Sequence, residues 1–233
     1  LSSIIAFHVD PTIPAGQIGT RVGAVTGSAD RFNILLEGPG GHTARPHKTV
    51  DLLWAAGKVL TDLPMVFLRS VDSRQPVTIV FGTAHGGSIH NVIPTRMELG
   101  GTVRTTDLAL WADLPAMFEK VLRDVLAPTG ATATVDYQTG LPPVINDGKV
   151  VHAAEGGIAA ALGSEAVVPT AVSMGAEDFS RYLERIPGAL FRLGACHPDR
   201  SVDLHSSSFQ GDEDAVGYGI HAGVAALLAQ FER

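Results

Sequence analysis

The residues of this chain best suited to chemistry are its nine histidines, because a neutral imidazole binds divalent metal ions and exchanges a proton near neutral pH. His8 ends an apolar run that begins at Ile4, and α/β proteins build their sites at the carboxyl ends of strands. His205 lies in a polar loop ahead of the last helical segment. Both are candidate metal ligands, although each by itself also fits a histidine bonded to backbone or exposed on a loop.

Three further side chains are suited to binding a carbonyl or a carboxylate. His42 follows Gly38-Pro-Gly-Gly41, and glycines there allow positive φ and close backbone approach, so His42 is expected on a tight loop. Asn91 and Arg104 fall on adjacent predicted strands, where an amide can bind a carbonyl oxygen and a guanidinium can bind a carboxylate. A surface hairpin loop, a turn asparagine and a surface ion-pair arginine remain the alternatives.

Acidic and thiol groups give weaker indications. Glu177 and Asp178 stand at the predicted start of a helix, where carboxylates commonly act as N-terminal caps. The one cysteine, Cys196, excludes an internal disulfide and a C-x-x-C site, and the side chain of the adjacent His197 diverges from it. A chain without disulfides fits a reducing compartment, so the cytoplasm is the expected location.

Composition restricts the possible classes of function. The chain has 233 residues, of which 18% are charged, and its formal net charge is −7. Acidic and basic residues are interspersed, so no basic face is available to neutralise phosphates, and nucleic-acid binding is not expected. Apolar stretches are broken well before the roughly 18 residues that a membrane span needs. The length suffices for one large domain or two small ones.

Residues 29–139 show strand-type and helix-type periodicities in a regular alternation. The resulting β-α-β-β-α-β order is the split βαβ arrangement, in which two helices cover one face of an antiparallel sheet. We therefore expect a self-contained α+β domain of ferredoxin-like order in this stretch. Its elements are expected, in chain order, at 32–37, 50–64, 77–83, 97–105, 114–125 and 131–137.

The flanking segments, 1–28 and 140–233, alternate helix and strand in the manner of a doubly wound sheet. They contain too few elements to close such a sheet around their own core, so the middle domain is expected to be an insertion between them. The chain starts in what reads as the middle of a strand, and we expect that it begins inside a domain. A terminal helix is predicted from one apolar stripe, formed by Val216, Ile220, Val224, Leu227 and Phe231.

A set of short motifs runs through nearly the whole chain. In order, they are Phe7-His-Val-Asp-Pro, Gly16-Gln-Ile-Gly19, Gly38-Pro-Gly-Gly-His-Thr-Ala-Arg-Pro-His, Thr49-Val-Asp51, Asn91-Val-Ile-Pro94, Gly101-Thr-Val-Arg104, Pro142-Pro-Val-Ile-Asn146, Met174-Gly-Ala-Glu-Asp-Phe-Ser180, Pro187-Gly188 and Leu204-His205. Together they resemble the M20 metallopeptidase family, and most closely its amidohydrolase branch of aminoacylases, hippurate hydrolases and auxin-conjugate amidohydrolases. One such motif has little specificity, whereas the ordered set is highly specific.

The resemblance implies a fold and a domain organisation. The family has an α/β catalytic domain of the zinc-peptidase type, interrupted by an α+β lid domain that also forms a homodimer. On this interpretation residues 1–28 and 140–233 are part of the catalytic domain, and residues 29–139 are the lid and dimerisation domain.

The resemblance also implies a metal centre. His8 and His205 match two of its ligands, and the family binds two divalent ions in each intact site, with zinc, manganese, cobalt and nickel not distinguishable from these residues. Glu177 matches a carboxylate near the active site, which belongs either to the substrate pocket or to the residues behind the metal ligands.

The lid residues have implied roles as well. His42 matches a histidine that polarises the scissile carbonyl, in some members from the partner subunit. Asn91 and Arg104 match residues that contact the carbonyl and the carboxylate of a small-molecule amide substrate.

The sequence departs from the family's pattern at one point. In the amidohydrolase branch a Cys-x-His ligand pair and a Glu-Glu pair, which includes the general base, precede the histidine that matches His8, and only seven residues precede it here. We therefore expect that an N-terminal part of the same protein supplies these groups and that this chain alone is inactive. The intact protein is expected to hydrolyse amide bonds of N-acyl amino acids or related conjugates. A non-catalytic oligomerisation or binding fragment, and a peptidase of the same family, remain the alternatives.

Overall fold

A computed structural model describes residues 2–197 and 203–231, and these fall into two compact units. The first unit comprises the described residues within 1–26, 144–173 and 177–233. The second unit comprises residues 27–143 together with 174–176.

Twelve strands occur in the described residues. They are β1 Ile4–Pro14, β2 Ile18–Thr20, β3 Gly23–Ala24, β4 Ala29–Glu37, β5 Gly41–His42, β6 Val77–Gly86, β7 Val92–Ile93, β8 Arg96–Thr105, β9 Thr132–Leu141, β10 Ile145–Asn146, β11 Val167–Pro169 and β12 Gly188–Cys196. The α-helices of the same residues are α1 Leu52–Ser70, α2 Leu108–Leu126, α3 Gly148–Leu162, α4 Ser180–Leu183 and α5 Asp214–Leu228. None of them is both long and apolar enough to cross a membrane.

The first unit is built on a four-stranded sheet of order β1-β12-β2-β11. β1 runs parallel to β12 and β11 parallel to β2, whereas β12 and β2 are antiparallel. Residues 188–192 of β12 are all buried, as expected for a central strand covered on both faces. Phe191 and Ile18 from the sheet pack with Val151 and Ile158 of α3, and this cluster is the core that holds β1 in place.

The second unit is built on a four-stranded antiparallel sheet of order β6-β8-β4-β9, with α1 and α2 packed on it. In β4 the side chains of Phe32, Ile34 and Leu36 are buried among the helices, and the residues between them point the other way. This period of two is the pattern of a sheet with one covered face. The opposite face of the sheet, which we call the open face, therefore carries the alternate residues.

Helix α1 is longer than the sequence predicted. The helical spacing was expected to end at Pro64, but the helix continues to Ser70 with Pro64 inside it. Proline removes one backbone hydrogen bond and normally ends or kinks a helix. The extra turns bring Phe67 into the core with no exposed surface, and this burial offsets the lost bond.

A buried carboxylate ties three parts of the second unit together. Asp30 has no exposed surface, and its Oδ1 accepts hydrogen bonds from Trp111 Nε1 at 3.0 Å and the Gly140 amide at 2.9 Å. Its Oδ2 accepts from the Tyr137 hydroxyl at 2.8 Å. Burial, followed by the neighbouring charge of Asp30, raises the pKa of Tyr137 above its usual range. The Tyr137 hydroxyl therefore keeps its proton and donates it in a hydrogen bond to the buried Asp30 carboxylate, which needs donors because it is shielded from water.

Candidate functional site

The sequence predicted His8 at the end of a strand, but β1 continues to Pro14. His8 therefore lies near the middle of β1, in register with Arg192 of the neighbouring strand β12. Its Nδ1 is 2.7 Å from the carbonyl oxygen of Val9. A carbonyl oxygen only accepts, so Nδ1 carries the proton, and in a neutral imidazole Nε2 then has a free lone pair. A backbone carbonyl that fixes the tautomer in this way is the usual support of a metal-binding histidine.

The structure places Glu177 beside His8, although 169 positions separate them in the chain. The Nε2 of His8 and the Oε2 of Glu177 are 3.8 Å apart, and both side chains are partly exposed, at 31% and 24%. Glu177 precedes the short helix α4, and its carbonyl oxygen accepts a hydrogen bond from the Ser180 amide. The helix begins three residues later than the sequence predicted, so Glu177 stands in the turn before it. This turn aims the carboxylate at the atom of His8 that is free to bind a ligand.

His205 occupies an exposed turn with φ of +65°, the left-handed conformation that residues other than glycine seldom adopt. Within the described residues, no group of three or more histidine, cysteine or acidic side chains is placed to hold a metal ion. The donors fit a divalent ion in kind, since imidazole nitrogen and carboxylate oxygen are its usual ligands. They fit it only as part of a ligand set that other residues complete.

In the second unit, a small two-stranded sheet brings together His42 and Asn91. Asn91 was expected on a strand adjacent to that of Arg104, but it lies in the turn immediately before β7. β5 pairs with β7 so that His42 lies opposite Val92, and the Thr43 amide donates to the Asn91 carbonyl oxygen at 3.2 Å. The Ala44 amide donates to Nδ1 of His42 at 3.0 Å. An amide only donates here, so Nδ1 is the acceptor and the proton of the neutral ring is on Nε2. His42 therefore offers Nε2–H as a hydrogen-bond donor. We call the small sheet of β5 and β7, together with the turn that carries Asn91, the tip.

The glycine before this tip is required by its conformation and by space. Gly40 has φ of +66°, and a Cβ there would lie 2.7 Å from the Thr95 side chain and 3.1 Å from the Ile93 carbonyl oxygen. Its own carbonyl oxygen accepts a hydrogen bond from Thr49 Oγ1 at 2.5 Å. The sequence expectation of a tight glycine loop that holds His42 is consistent with this local geometry.

Arg104 lies on β8 and is anchored by backbone. Its Nη1 donates to the carbonyl oxygens of Met174 at 3.0 Å and Ser28 at 3.4 Å. These bonds fix the plane of the guanidinium. A depression of about 340 Å³ on the open face is lined by Arg104 and by Arg31, a residue that the sequence analysis did not single out. The alternation of β4 places Arg31 on the open face, but its register against β8 is not deducible from one sequence.

Arg104 and the His42–Asn91 tip lie at opposite ends of the second unit. The tip continues the ladder of β4 and β8 beyond Arg96, because the Gly38 amide bonds to the Thr95 carbonyl oxygen just before that strand begins. Eight residues of extended strand separate Arg96 from Arg104, which corresponds to about 26 Å. One small amide cannot contact both places within one protomer.

Comparison with known proteins gives relatives over nearly the whole chain. A protein of Synechocystis sp. named "Probable hydrolase sll0100" is 38% identical over 94% of this chain and 57% of its own length. The N-acetylcysteine deacetylase of Bacillus subtilis is 34% identical over 93% of this chain and 56% of its own length. The chain thus spans a little over half the length of these relatives.

A solved structure agrees with these sequence matches. The Bacillus subtilis YXEP protein, described as a dinuclear metal-binding peptidase of the M20 family, superposes with a TM-score of 0.80 and 30% identity, over 99% of this chain and 58% of that one. The α/β fold of the chain is therefore that of M20 proteins. The family described as peptidase family M20/M25/M40 matches residues 1–229. Because this match extends over almost every residue, the chain belongs to peptidase family M20/M25/M40.

Proposed function

We propose that this chain is part of a metal-dependent hydrolase of amide bonds in N-acyl amino acids or related amide conjugates, of the amidohydrolase branch of its family. The observation that carries the proposal is the tautomer of His42. The Ala44 amide takes up Nδ1, so Nε2–H is available as a donor beside Asn91. Amide hydrolysis passes through a tetrahedral oxyanion, and a fixed donor of this kind stabilises it. The deacetylase among the relatives acts on the same class of bond.

His8 and His205 are the residues of this chain that would contribute to the metal centre. The hydrogen bond from Nδ1 of His8 to the Val9 carbonyl oxygen leaves Nε2 of His8 ready to bind a cation. Glu177 adds a negative charge 3.8 Å from that nitrogen. A bound divalent ion supplies a Lewis acid that polarises the carbonyl and lowers the pKa of water. The general base and the remaining ligands would come from an upstream part of the protein. We propose the cytoplasm as the location, where the free Cys196 is compatible with reducing conditions.

Asn91 and Arg104 position the substrate in this proposal. The amide of Asn91 binds the substrate carbonyl together with His42, and the anchored guanidinium of Arg104 binds the carboxylate of the amino-acid part. A fixed guanidinium loses little conformational entropy when it forms a two-pronged bond to a carboxylate.

The second unit serves, we propose, as a lid and dimerisation domain of ferredoxin-like order. β6 is an edge strand of its sheet, and an unpaired edge is a natural place for a second copy to pair. Next to that edge, α1 exposes a set of large apolar side chains. These are Leu53, Trp54, Leu60, Met65 and Leu68, each 36–51% exposed.

Pairing through β6 would solve the separation between Arg104 and His42. Val77 of β6 lies opposite Thr105, and His85 lies opposite Glu98, so the two ends of β6 mark the Arg104 end and the His42 end of the sheet. In an antiparallel pair around a two-fold axis, opposite ends of the two β6 strands meet. The Arg104 end of one protomer would then lie beside the partner subunit's His42.

A non-catalytic oligomerisation module is the second candidate function. The observation that favours it is the self-contained core of the second unit together with the exposed apolar side chains of α1. A peptidase activity is the third candidate, since the related Bacillus subtilis structure is described as a peptidase. Substrate profiling with N-acyl amino acids and dipeptides separates the hydrolase candidates.

The experiment that tests the proposal compares histidine variants of the full-length protein that contains this chain. His42→Ala should lower kcat on an N-acyl amino acid by about 100-fold, as expected for the loss of one oxyanion donor, and should leave the metal content unchanged. His205→Ala should lower the metal content. His47→Ala is the matched control, because His47 is exposed in the same loop region. Full metal-dependent activity of His42→Ala and His205→Ala would overturn these assignments.

A further inference from the structure

The open face of the second unit carries two adjoining depressions beside Arg104. The one of about 340 Å³ is lined by Arg31, Thr102, Arg104 and Gln138, among others. A neighbouring one of about 460 Å³ shares Arg31, Thr102 and Gln138 with it. Arg31 therefore stands at the boundary of the two depressions.

Strand pairing brings Arg31 and Arg104 close together. Arg31 lies directly opposite Thr102 in the antiparallel pair of β4 and β8, and Arg104 is two residues further along β8. Both side chains are on the open face, because Phe32 and Val103 beside them are buried on the other face. Diagonal neighbours of this kind have backbones about 7–8 Å apart. Two guanidinium groups thus line the same depression.

The charge of these two arginines is not neutralised within the described part of the chain, where neither Arg31 nor Arg104 has an ion-pair partner. Asp30 also lines the depression, but its buried carboxylate lies on the face of β4 that carries Phe32, where it bonds to Trp111 and Tyr137. Asp136, on the neighbouring strand, accepts a hydrogen bond from Gln138 at 2.8 Å. The depression therefore presents two cations to a ligand, and a guanidinium prefers a planar carboxylate.

We propose that Arg31 is a specificity-determining residue that binds a second carboxylate of the substrate. The inference rests on the proposed function, in which Arg104 binds the carboxylate of the amino-acid part. Because Arg31 is next to Arg104, the second carboxylate belongs to the same part of the substrate. The preferred substrates are then N-acyl derivatives of acidic amino acids, such as N-acetylglutamate.

Binding to this chain tests the inference without any catalysis. Glutarate, which has two carboxylates, and butyrate, which has one, are titrated by calorimetry into the chain and into Arg31→Gln. Arg69→Gln is the control, because Arg69 is an exposed arginine of α1 bonded only to the Met65 carbonyl oxygen among the described residues. The expected result is that Arg31→Gln weakens glutarate binding at least tenfold and leaves butyrate unchanged. Equal binding of the two acids, or equally tight and Arg31-dependent binding of inorganic phosphate, would overturn the inference.

Kinetics on the full-length protein separates this inference from the proposed function. N-acetylglutamate and N-acetylglutamine have nearly the same shape and differ in the second carboxylate. Arg31→Gln should lower kcat/KM about tenfold for N-acetylglutamate and should leave N-acetylglutamine unchanged. If Arg104→Ala keeps full activity on both, the assignment of Arg104 fails. If Arg104→Ala loses activity while Arg31→Gln changes kcat/KM equally for the two substrates, only the role proposed for Arg31 is wrong.

Discussion

Gly157 of α3 lies directly against the carbonyl oxygen of Ala225 in α5: a Cβ at position 157 would be 2.5 Å from that oxygen and 2.9 Å from the Ala229 Cβ. The two helices meet here through small residues, so there is no space for a methyl group. We expect Gly157→Ala to destabilise the first unit by about 1–3 kcal/mol, the usual cost of overpacking. Hydrogen exchange of the α3 and α5 amides would measure the loss.

The neighbouring Gly156 is the matched control for this prediction. Among the residues that the structure describes, nothing lies within 4 Å of a Cβ at that position. Gly156→Ala should therefore stabilise α3 by about 0.5–1 kcal/mol, because alanine loses less backbone entropy than glycine in a helix. Similar slowing of exchange in the two variants would contradict the close contact.

The Asp30 network makes a second prediction. Removing the carboxylate in Asp30→Ala leaves the donors of Trp111, Tyr137 and Gly140 unsatisfied, at about 1–3 kcal/mol for each buried group that finds no water. We expect a loss of about 3 kcal/mol in the free energy of unfolding, against about 1 kcal/mol for Tyr137→Phe. Both tryptophans belong to the second unit, so tryptophan fluorescence during denaturation reports on it. The double variant serves as the control, since Tyr137→Phe should cost little once Asp30 is gone.

The same network predicts a loss of stability in alkali. The pKa of Tyr137 is raised in the folded state, so its contribution is complete below the unfolded pKa of about 10 and is lost as pH rises through the folded value. The wild-type chain should therefore lose stability above about pH 10 more steeply than Tyr137→Phe. Parallel curves for the two proteins would show that the hydroxyl does not act in this way.

The sequence indicated much of the secondary structure. It did not indicate which side chains of a helix are buried, because packing against neighbouring elements decides that. Val216, Ile220 and Val224 have helical spacing and lie in α5, but these side chains are 54–67% exposed, and Phe231 lies beyond the end of the helix at Leu228. The buried face of α5 is its stripe of alanines, such as Ala222 and Ala226, which fit close to α3. Periodicity identifies a helix and its stripes, whereas the identity of the covered stripe depends on the neighbouring surface.

The candidate site was predictable in residue type and less so in arrangement. Chemical type and motif order selected His8, His42 and Arg104, and their roles remain predictions. The His8–Glu177 pair joins two distant segments, and nothing in their spacing indicates a distance of 3.8 Å. The tautomer of His42 depends on the Ala44 amide, a backbone contact that side-chain patterns do not contain.

The cap of α2 gives a fourth prediction. The Leu110 amide, followed by the Gln75 side chain, lowers the pKa of Asp107 below its usual value. We expect Asp107→Ala to cost about 1 kcal/mol near pH 7, as for other N-caps. Because the pKa of Asp107 is lower in the folded state, its carboxylate contributes fully to stability above the unfolded pKa of about 4. This contribution is lost as the pH falls through the folded pKa, so the difference in stability between wild type and Asp107→Ala should shrink in acid. Asp113→Ala, an exposed position of the same helix, is the control in the fluorescence assay.

The fifth prediction tests whether His42 and Arg104 of different protomers form one site. The roughly 26 Å of strand between Arg104 and Arg96, beyond which the His42 end begins, suggests that they do. Full-length His42→Ala and Arg104→Ala are each expected to be nearly inactive. If each site combines Arg104 of one protomer with the partner subunit's His42, a heterodimer of the two variants contains two different sites. One site carries both substitutions and the other carries neither.

Mixing equal amounts of the two variants under conditions that exchange subunits should then restore about a quarter of the wild-type activity, since half of the dimers are mixed. Each variant alone, taken through the same subunit-exchange conditions, is the control and should stay inactive. If the mixed sample also stays inactive while light scattering shows that heterodimers have formed, His42 and Arg104 act within one protomer or on different ligands, and the pairing through β6 is wrong.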